Sequence, residues 1–160
     1  MSSVRVLVVE DESIVALDIQ HRLRAMGYSV VGLALTGAEA LALARQTEPD
    51  LVLMDIRLKG PLSGIEAAEL LRAERPVPVI YLTAYTDDAT LERARVSEPF
   101  GYVIKPFEDR ELQIMIEIAL YRHDVERRLR ENEAALRAYQ NTLEQRVAER
   151  TAELTRLNET

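Results

Sequence analysis

Five short runs of aliphatic and β-branched residues recur along the chain, and segments with helical spacing of apolar residues lie between them. A run that is apolar at nearly every position is typical of a strand covered on both faces of a parallel sheet. The predicted strands cover residues 4–9, 30–34, 51–54, 79–82 and 102–104. Such strict alternation of strand and helix predicts an α/β fold with a doubly wound, five-stranded parallel sheet.

Capping signals support the helices between these strands. Thr36 stands three residues before Glu39, and Ser63 stands three residues before Glu66, so both pairs have the spacing of a capping box. Apolar residues at helical steps predict a further helix around residues 91–95. The fold is therefore predicted to alternate between strand and helix as far as the fifth strand.

Polar residues stand where four of the five strands end. Glu10 and Asp11 follow the first strand, Asp55 the third and Thr83 the fourth, and Lys105 follows the fifth. Because parallel strands end at the same edge of a sheet, and ligands bind outside that edge, these side chains are predicted to form one site.

The residue types at this edge indicate cation and phosphate chemistry. Glu10, Asp11 and Asp55 would repel one another unless a cation neutralised them. An all-oxygen donor set suits Mg²⁺, which uses one or two carboxylates together with phosphate oxygens. Thr83 adds a hydroxyl group, and Lys105 adds a positive charge that can pair first with Asp55 and later with a phosphate oxygen. An aspartate carboxylate is also an established nucleophile in phosphoryl transfer.

The strand ends carry the motifs VVEDE, LVLMD, YLTA and YVIKPF, which resemble the receiver domain of two-component response regulators. The resemblance covers about three-quarters of the chain and implies the flavodoxin-like receiver fold. It implies that Asp55 accepts a phosphoryl group from the phosphohistidine of a histidine kinase or phosphotransfer protein. It also implies that Asp11 is a direct Mg²⁺ ligand, that Glu10 acts on the metal through water, and that Arg57 contributes its backbone carbonyl.

The same resemblance assigns roles around the phosphoryl group. Thr83 and Lys105 contact it, and Tyr102 acts with Thr83 as a conformational switch. The Lys105–Pro106 peptide bond is expected to be cis. The reaction is a self-modification: the chain catalyses its own phosphorylation and dephosphorylation and turns over no separate substrate.

The last third of the chain is predicted to form a long helix. From Arg110 to the C-terminus there is no proline or glycine, and Ala, Leu, Arg and Glu predominate. We define the apolar stripe as Val125, Leu129, Leu136, Tyr139, Leu143, Val147, Leu154 and Leu157. Asn132 and Arg150 occupy intervening positions, and the steps alternate between four and three except for a doubled four at Leu143–Val147. This pattern predicts a coiled coil with one stutter.

The predicted organisation is a receiver domain at residues 1–121 and a coiled-coil extension at residues 122–160, continuous with the last receiver helix. The extension is expected to form a parallel homodimer through residues 122–157, because a long charged helix cannot bury its own stripe. The segment LEQRVAERTAELTRLNE also resembles the signalling helices that precede sensor or histidine kinase modules.

Charge and composition disfavour several classes of partner. The net charge is −7, and the seven arginines after residue 123 are matched by eight acids, so no nucleic acid is expected to bind. No apolar run is long enough to cross a bilayer, so no membrane insertion and a cytoplasmic location are expected. Cysteine is absent, which excludes thiolate chemistry.

The main functional prediction is phosphorelay signalling with output through a helical dimer. Two alternatives stay open. The chain can be a constitutive dimeric scaffold with a vestigial acidic pocket, or an N-terminal fragment of a larger hybrid histidine kinase.

Overall fold

The structure is a computed structural model, and it describes residues 3–84 and 101–158. The chain divides into two compact units, Met1–His123 and Asp124–Thr160. The helix predicted around residues 91–95 lies outside the described residues.

The first unit contains a five-stranded, all-parallel sheet with the strand order β2-β1-β3-β4-β5. The strands are β1 (Arg5–Val9), β2 (Ser29–Ala34), β3 (Leu51–Asp55), β4 (Val79–Ala84) and β5 (Gly101–Lys105). The described helices are α1 (Ser13–Ala25), α2 (Gly37–Thr47), α3 (Gly64–Glu74) and α4 (Asp109–Asn158). The prediction of a doubly wound parallel sheet followed by a long C-terminal helix is confirmed.

Two apolar clusters cover the two faces of the sheet. Alternate residues of each strand point to opposite faces, so Leu7 belongs to one cluster and Val8 to the other. The first cluster includes residues of α2 and α3, such as Ala40 and Ile65, and the second includes residues of α1 and the first part of α4. The strand runs are nearly uniformly apolar because both of their faces are buried.

Both predicted capping pairs begin helices. The Glu39 backbone N–H donates to Thr36 Oγ1 at 3.2 Å, and the Glu66 N–H donates to Ser63 Oγ at 3.2 Å. The Glu39 carboxylate accepts from the Leu35 N–H at 3.1 Å, one residue before the N-cap. These caps fix where α2 and α3 start, and α3 starts directly behind the loop that follows Asp55.

The last helix is buried only over its first turns. Among its described residues, Leu112, Ile116 and Ala119 are buried, and all three belong to the first unit. None of the described residues in 124–158 is buried. No described helix is both long enough and apolar enough to span a membrane.

Candidate functional site at the carboxyl edge of the sheet

A cleft of about 340 Å³ opens at the carboxyl ends of β1, β3, β4 and β5, where the sequence placed the site. We call it the acidic cleft. It is lined by Glu10, Asp11, Glu12, Val15, Asp55, Ile56, Arg57, Thr83, Ala84 and Lys105. Six of the predicted site residues therefore meet in one place, because the parallel strands that carry them end at the same edge.

Three carboxylates share the acidic cleft. One oxygen from each of Glu10, Asp11 and Asp55 lies within 4.8 Å of the others. Glu10 is 1% exposed and Asp55 is 8% exposed, whereas Asp11 is half-buried. Two of the three negative charges are thus largely withdrawn from water, which is costly unless positive charge lies nearby.

Lys105 supplies part of that positive charge. Its Nζ lies 2.7 Å from Glu10 Oε2 and 3.1 Å from Asp55 Oδ2. The sequence predicted that Lys105 contacts Asp55. It predicted that Glu10 contacts the metal through water, and it did not predict the direct bond between Lys105 and Glu10. Glu10 directly follows four buried residues of β1, Val6–Val9, and that position was the available signal for its burial.

The electrostatics of the pair follow from this geometry. Burial raises the pKa of Glu10 from 4.5 to about 7, and the neighbouring Asp55 adds to the rise, whereas Lys105 opposes it. Burial lowers the pKa of Lys105, but the hydrogen bonds and negative charges of Glu10 and Asp55 outweigh burial and raise it overall. The ammonium group of Lys105 is therefore held in its charged form.

A tight loop orients Asp55. Its Oδ1 accepts from the Arg57 backbone N–H at 3.1 Å. The Gly64 N–H donates to the Ile56 carbonyl at 2.8 Å and draws the start of α3 against β3. A Cβ atom on Gly64 would stand 2.0 Å from the backbone oxygen of Asp55, so only glycine fits there. The sequence did not indicate that Gly64 packs against the Asp55 backbone, although its place directly after the Ser63 cap marks it as the first residue of α3.

Thr83 and Tyr102 occupy different surroundings. Thr83 is buried, lines the acidic cleft, and donates from Oγ1 to the Ala84 carbonyl at 3.3 Å. Tyr102 is half-buried, pairs in register with Tyr81 and packs against the first apolar cluster. Among the described residues that line the cleft, Tyr102 is absent.

A contact that the sequence did not indicate holds the segment after Lys105. The Arg22 guanidinium on α1 donates from Nη2 to the Phe107 carbonyl at 3.1 Å and lies 4.9 Å from the centre of the Phe107 ring. Its Nε is 3.0 Å from Asp109 Oδ1, at the start of α4. The Lys105–Pro106 bond is cis, the isomer that the resemblance implied. Arg22 therefore fixes the backbone two residues beyond Lys105.

Comparison with known proteins identifies the family. Residues 6–117 match the family model of the response regulator receiver domain. The transcriptional regulatory protein PdtaR of Mycobacterium tuberculosis is 40% identical over 74% of this chain and 57% of its own length. The DNA-binding response regulator MtrA of the same species is 37% identical over 76% of this chain and 53% of its own length.

Solved structures agree with this assignment. The signal receiver domain of a modulated diguanylate cyclase from Desulfovibrio desulfuricans G20 superimposes with a TM-score of 0.74 at 37% identity, covering 78% of this chain and 99% of that one. The chain spans little more than half the length of the curated relatives it matches. From its sheet, its acidic cleft and these matches, the chain belongs to the receiver domain family of two-component response regulators.

Proposed function

We propose that this chain accepts a phosphoryl group on Asp55 from the phosphohistidine of a histidine kinase or phosphotransfer protein. The observation that carries the proposal is the environment of Asp55, which is nearly buried yet open to the acidic cleft and oriented at both oxygens. The Arg57 N–H holds Oδ1, and the Lys105 ammonium contacts Oδ2. A nucleophile held in this way is preorganised for attack. Exchange with a kinase of this kind implies a cytoplasmic location.

The proposal includes Mg²⁺ as cofactor. The donor set fits that ion, because Glu10, Asp11 and Asp55 offer only oxygen and one oxygen of each lies within 4.8 Å of the others. Asp11 and Asp55 are the proposed direct ligands, Glu10 acts through water, and Arg57 adds its backbone carbonyl. When bound, Mg²⁺ neutralises charge on the phosphoryl oxygens during transfer.

The proposed transfer step uses the Asp55 carboxylate as the nucleophile and the donor's imidazole as the leaving group. An Asp55 carboxylate oxygen forms a bond to phosphorus while the bond from phosphorus to the imidazole nitrogen of the donor breaks, and the imidazole leaves with the electron pair. Lys105 moves from the carboxylate to a phosphoryl oxygen, and the Thr83 hydroxyl donates to another. The product is an acyl phosphate. Attack by water on its phosphorus breaks the bond to the Asp55 oxygen, releases inorganic phosphate and returns the carboxylate.

Thr83 and Tyr102 are the proposed switch. Burial of Thr83 within the cleft and the half-buried position of Tyr102 on the neighbouring strand support this role. Movement of the Thr83 hydroxyl toward the phosphoryl group vacates space that the Tyr102 ring then fills. Tyr102→Phe retains the ring, whereas Tyr102→Ala removes it, so only the second variant is expected to uncouple phosphorylation from output.

Labelling by a small phosphodonor tests the central claim. The full chain incubated with acetyl phosphate and Mg²⁺ is expected to gain the mass of one phosphoryl group. The gain disappears in Asp55→Asn and in the presence of EDTA, and it persists in the control Asp124→Asn. Absence of labelling in the unsubstituted chain contradicts the proposal and favours the constitutive scaffold.

We divide the chain into a receiver at residues 1–121 and an extension at residues 122–160. The proposed output is a parallel homodimer formed by residues 122–157 of the extension. Exposure of the whole apolar stripe supports self-association: its least covered members, Leu136 and Leu157, are 66% and 68% exposed. Sedimentation at micromolar concentration tests the dimer, and a monomer under those conditions contradicts it.

A further inference from the structure

The loop that joins Asp55 to α3, residues 57–63, is mostly exposed, and we call it the acceptor loop. Four of its seven residues are exposed and the other three are half-buried. Its beginning is held by the bond from the Arg57 N–H to Asp55 Oδ1, and its end by the bond from the Gly64 N–H to the Ile56 carbonyl. A loop of this kind keeps one path only where neighbouring elements also hold its middle.

The start of α2 touches the middle of the acceptor loop at two adjacent positions. The backbones of Thr36 and Lys59 pair in a single parallel bridge. Gly37, the next residue, is buried against Leu62: a Cβ atom on Gly37 would stand 2.8 Å from Leu62 Cβ and 3.2 Å from Ala67 Cβ. Carbon atoms pack at roughly 3.5–4.0 Å, so this contact leaves no room for a side chain at position 37.

The helix α2 offers a firm support for these contacts because it is fixed at both ends. At its start, Thr36 Oγ1 accepts from the Glu39 N–H at 3.2 Å, and the Ala40 N–H donates to the Thr36 carbonyl at 3.0 Å. The side chain of Ala40 lies in the first apolar cluster. At the other end of α2, Arg45 Nε donates to Glu74 Oε2 on α3 at 2.9 Å. The acceptor loop therefore packs against a helix that the core and α3 hold in place.

We infer that the start of α2 positions the metal-binding backbone of the acceptor loop. The Arg57 carbonyl, one of the proposed Mg²⁺ ligands, lies two residues before Lys59, so the bridge at Lys59 and the contact at Gly37 limit where that carbonyl can stand. Groups that hold a metal ligand in place contribute to metal affinity. The inference rests on the proposed Mg²⁺ site and extends its support to a helix that contributes none of the described residues lining the acidic cleft. Coupling between two sites is reciprocal, so the start of α2 gains stability when Mg²⁺ binds.

The variant Gly37→Ala separates this inference from a local effect on the helix. Alanine favours an α-helix more than glycine does, so a local effect alone would strengthen α2. The new Cβ atom instead pushes against Leu62, whose own Cβ is fixed to the backbone and cannot rotate away. Gly32→Ala is the matched control, because a Cβ atom there meets only the ends of the Leu43 and Leu7 side chains, at 3.3 Å.

Calorimetric titration of the full chain with MgCl₂ tests the effect of α2 on the metal site. We expect Gly37→Ala to weaken Mg²⁺ binding by about tenfold, and Gly32→Ala to bind as the unsubstituted chain does. Unchanged or tighter binding by Gly37→Ala, or equal weakening by both variants, overturns the inference and leaves the proposed phosphorylation of Asp55 standing. Failure of the unsubstituted chain to bind Mg²⁺ overturns the inference together with the proposed cofactor.

Amide hydrogen exchange of the unsubstituted chain tests the reciprocal effect and needs no variant. Saturating MgCl₂ should slow exchange of the Glu39 and Ala40 amides, at the start of α2, by up to about tenfold. The Glu48 amide, which donates to the Ala44 carbonyl at 3.0 Å at the other end of α2, is the internal control and should not change. Binding of Mg²⁺ without slowing at Glu39 and Ala40, or with equal slowing of all three amides, overturns the inference.

Discussion

The two units of this chain differ in how they place their leucine side chains. In the first unit, leucines such as Leu53 are completely buried, and each face of the sheet is covered by helices of the same unit. In the second, Leu136 and its neighbours are exposed, and no described residue in 124–158 is buried. Hydrophobic burial drives folding in proportion to the apolar area withdrawn from water. The first unit is therefore stabilised by its own buried apolar residues, whereas the described residues of the second unit bury none of theirs.

A matched pair of leucine substitutions probes this difference most directly. Leu53→Ala removes a fully buried side chain and is expected to lower the free energy of unfolding of the receiver by about 4 kcal/mol. Leu136→Ala removes an exposed side chain and is expected to change that unfolding by less than about 0.5 kcal/mol while weakening self-association. Chemical denaturation and sedimentation measure the two effects. Similar losses of unfolding free energy for the two variants would contradict this difference between the units.

The packing of Gly64 against the Asp55 backbone gives the next effect. Gly64→Ala places a Cβ atom against the Asp55 carbonyl and is expected to cost about 3 kcal/mol in the free energy of unfolding and to disturb phosphorylation. Gly60→Ala is the control: Gly60 has φ of 100° but no atom within 4 Å of a new Cβ, so its cost is strain alone, about 1 kcal/mol. Equal costs would contradict the steric explanation.

The buried Glu10 predicts a pH dependence that is confined to the receiver. The pKa of Glu10 is about 7 in the folded state and 4.5 in the unfolded state. Between pH 4.5 and pH 7, the folded chain therefore binds a proton that the unfolded chain has lost. In metal-free buffer the free energy of unfolding should therefore fall as pH rises from about 4.5 to about 7, by up to about 3 kcal/mol.

Glu10→Gln cannot titrate and should lack this part of the fall, as measured by denaturation across that range of pH. The control Glu133→Gln alters an exposed acid of the second unit and should follow the unsubstituted chain. Parallel curves for Glu10→Gln and the unsubstituted chain would refute the assignment.

Arg22 gives the smallest expected effect. Arg22→Gln removes the hydrogen bond to the Phe107 carbonyl and the ion pair with Asp109. Labelling of Asp55 by acetyl phosphate should slow by about fivefold, which corresponds to about 1 kcal/mol in the activation free energy. Arg24→Gln, at an exposed position on the same helix, should have no effect. If Arg22 acts by positioning Lys105, its substitution should lose its effect in a Lys105→Met background. Additive losses would instead indicate a general structural role.

The sequence was sufficient for features that depend on local pattern. Uniformly apolar runs predicted the buried strands, and three-residue spacing predicted the caps at Thr36 and Ser63. The rule that parallel strands end at one edge of the sheet predicted the acidic cleft. Strand ends were misplaced by one or two residues, because pairing with neighbours extends β3 to Asp55 and β4 to Ala84.

The missed contacts join residues far apart in the chain. The bond from Lys105 to Glu10 spans 95 residues, and the one from Arg22 to Phe107 spans 85. No local periodicity encodes which of several charged side chains at an edge will meet, since that choice depends on the path of the intervening loops. The requirement for glycine at position 64 has a different origin: it arises from the Asp55 backbone oxygen on a neighbouring element, which no local pattern indicates.

The approach of Gly64 to Asp55 also has an evolutionary consequence. Position 64 touches the backbone of Asp55 and not its carboxylate, so selection there acts on backbone space alone. Exposed residues around the cleft can vary without this effect, whereas any side chain at position 64 displaces Asp55 itself. We therefore expect descendants that keep Asp55 to keep glycine here, and lineages that abandon phosphorylation to lose both together.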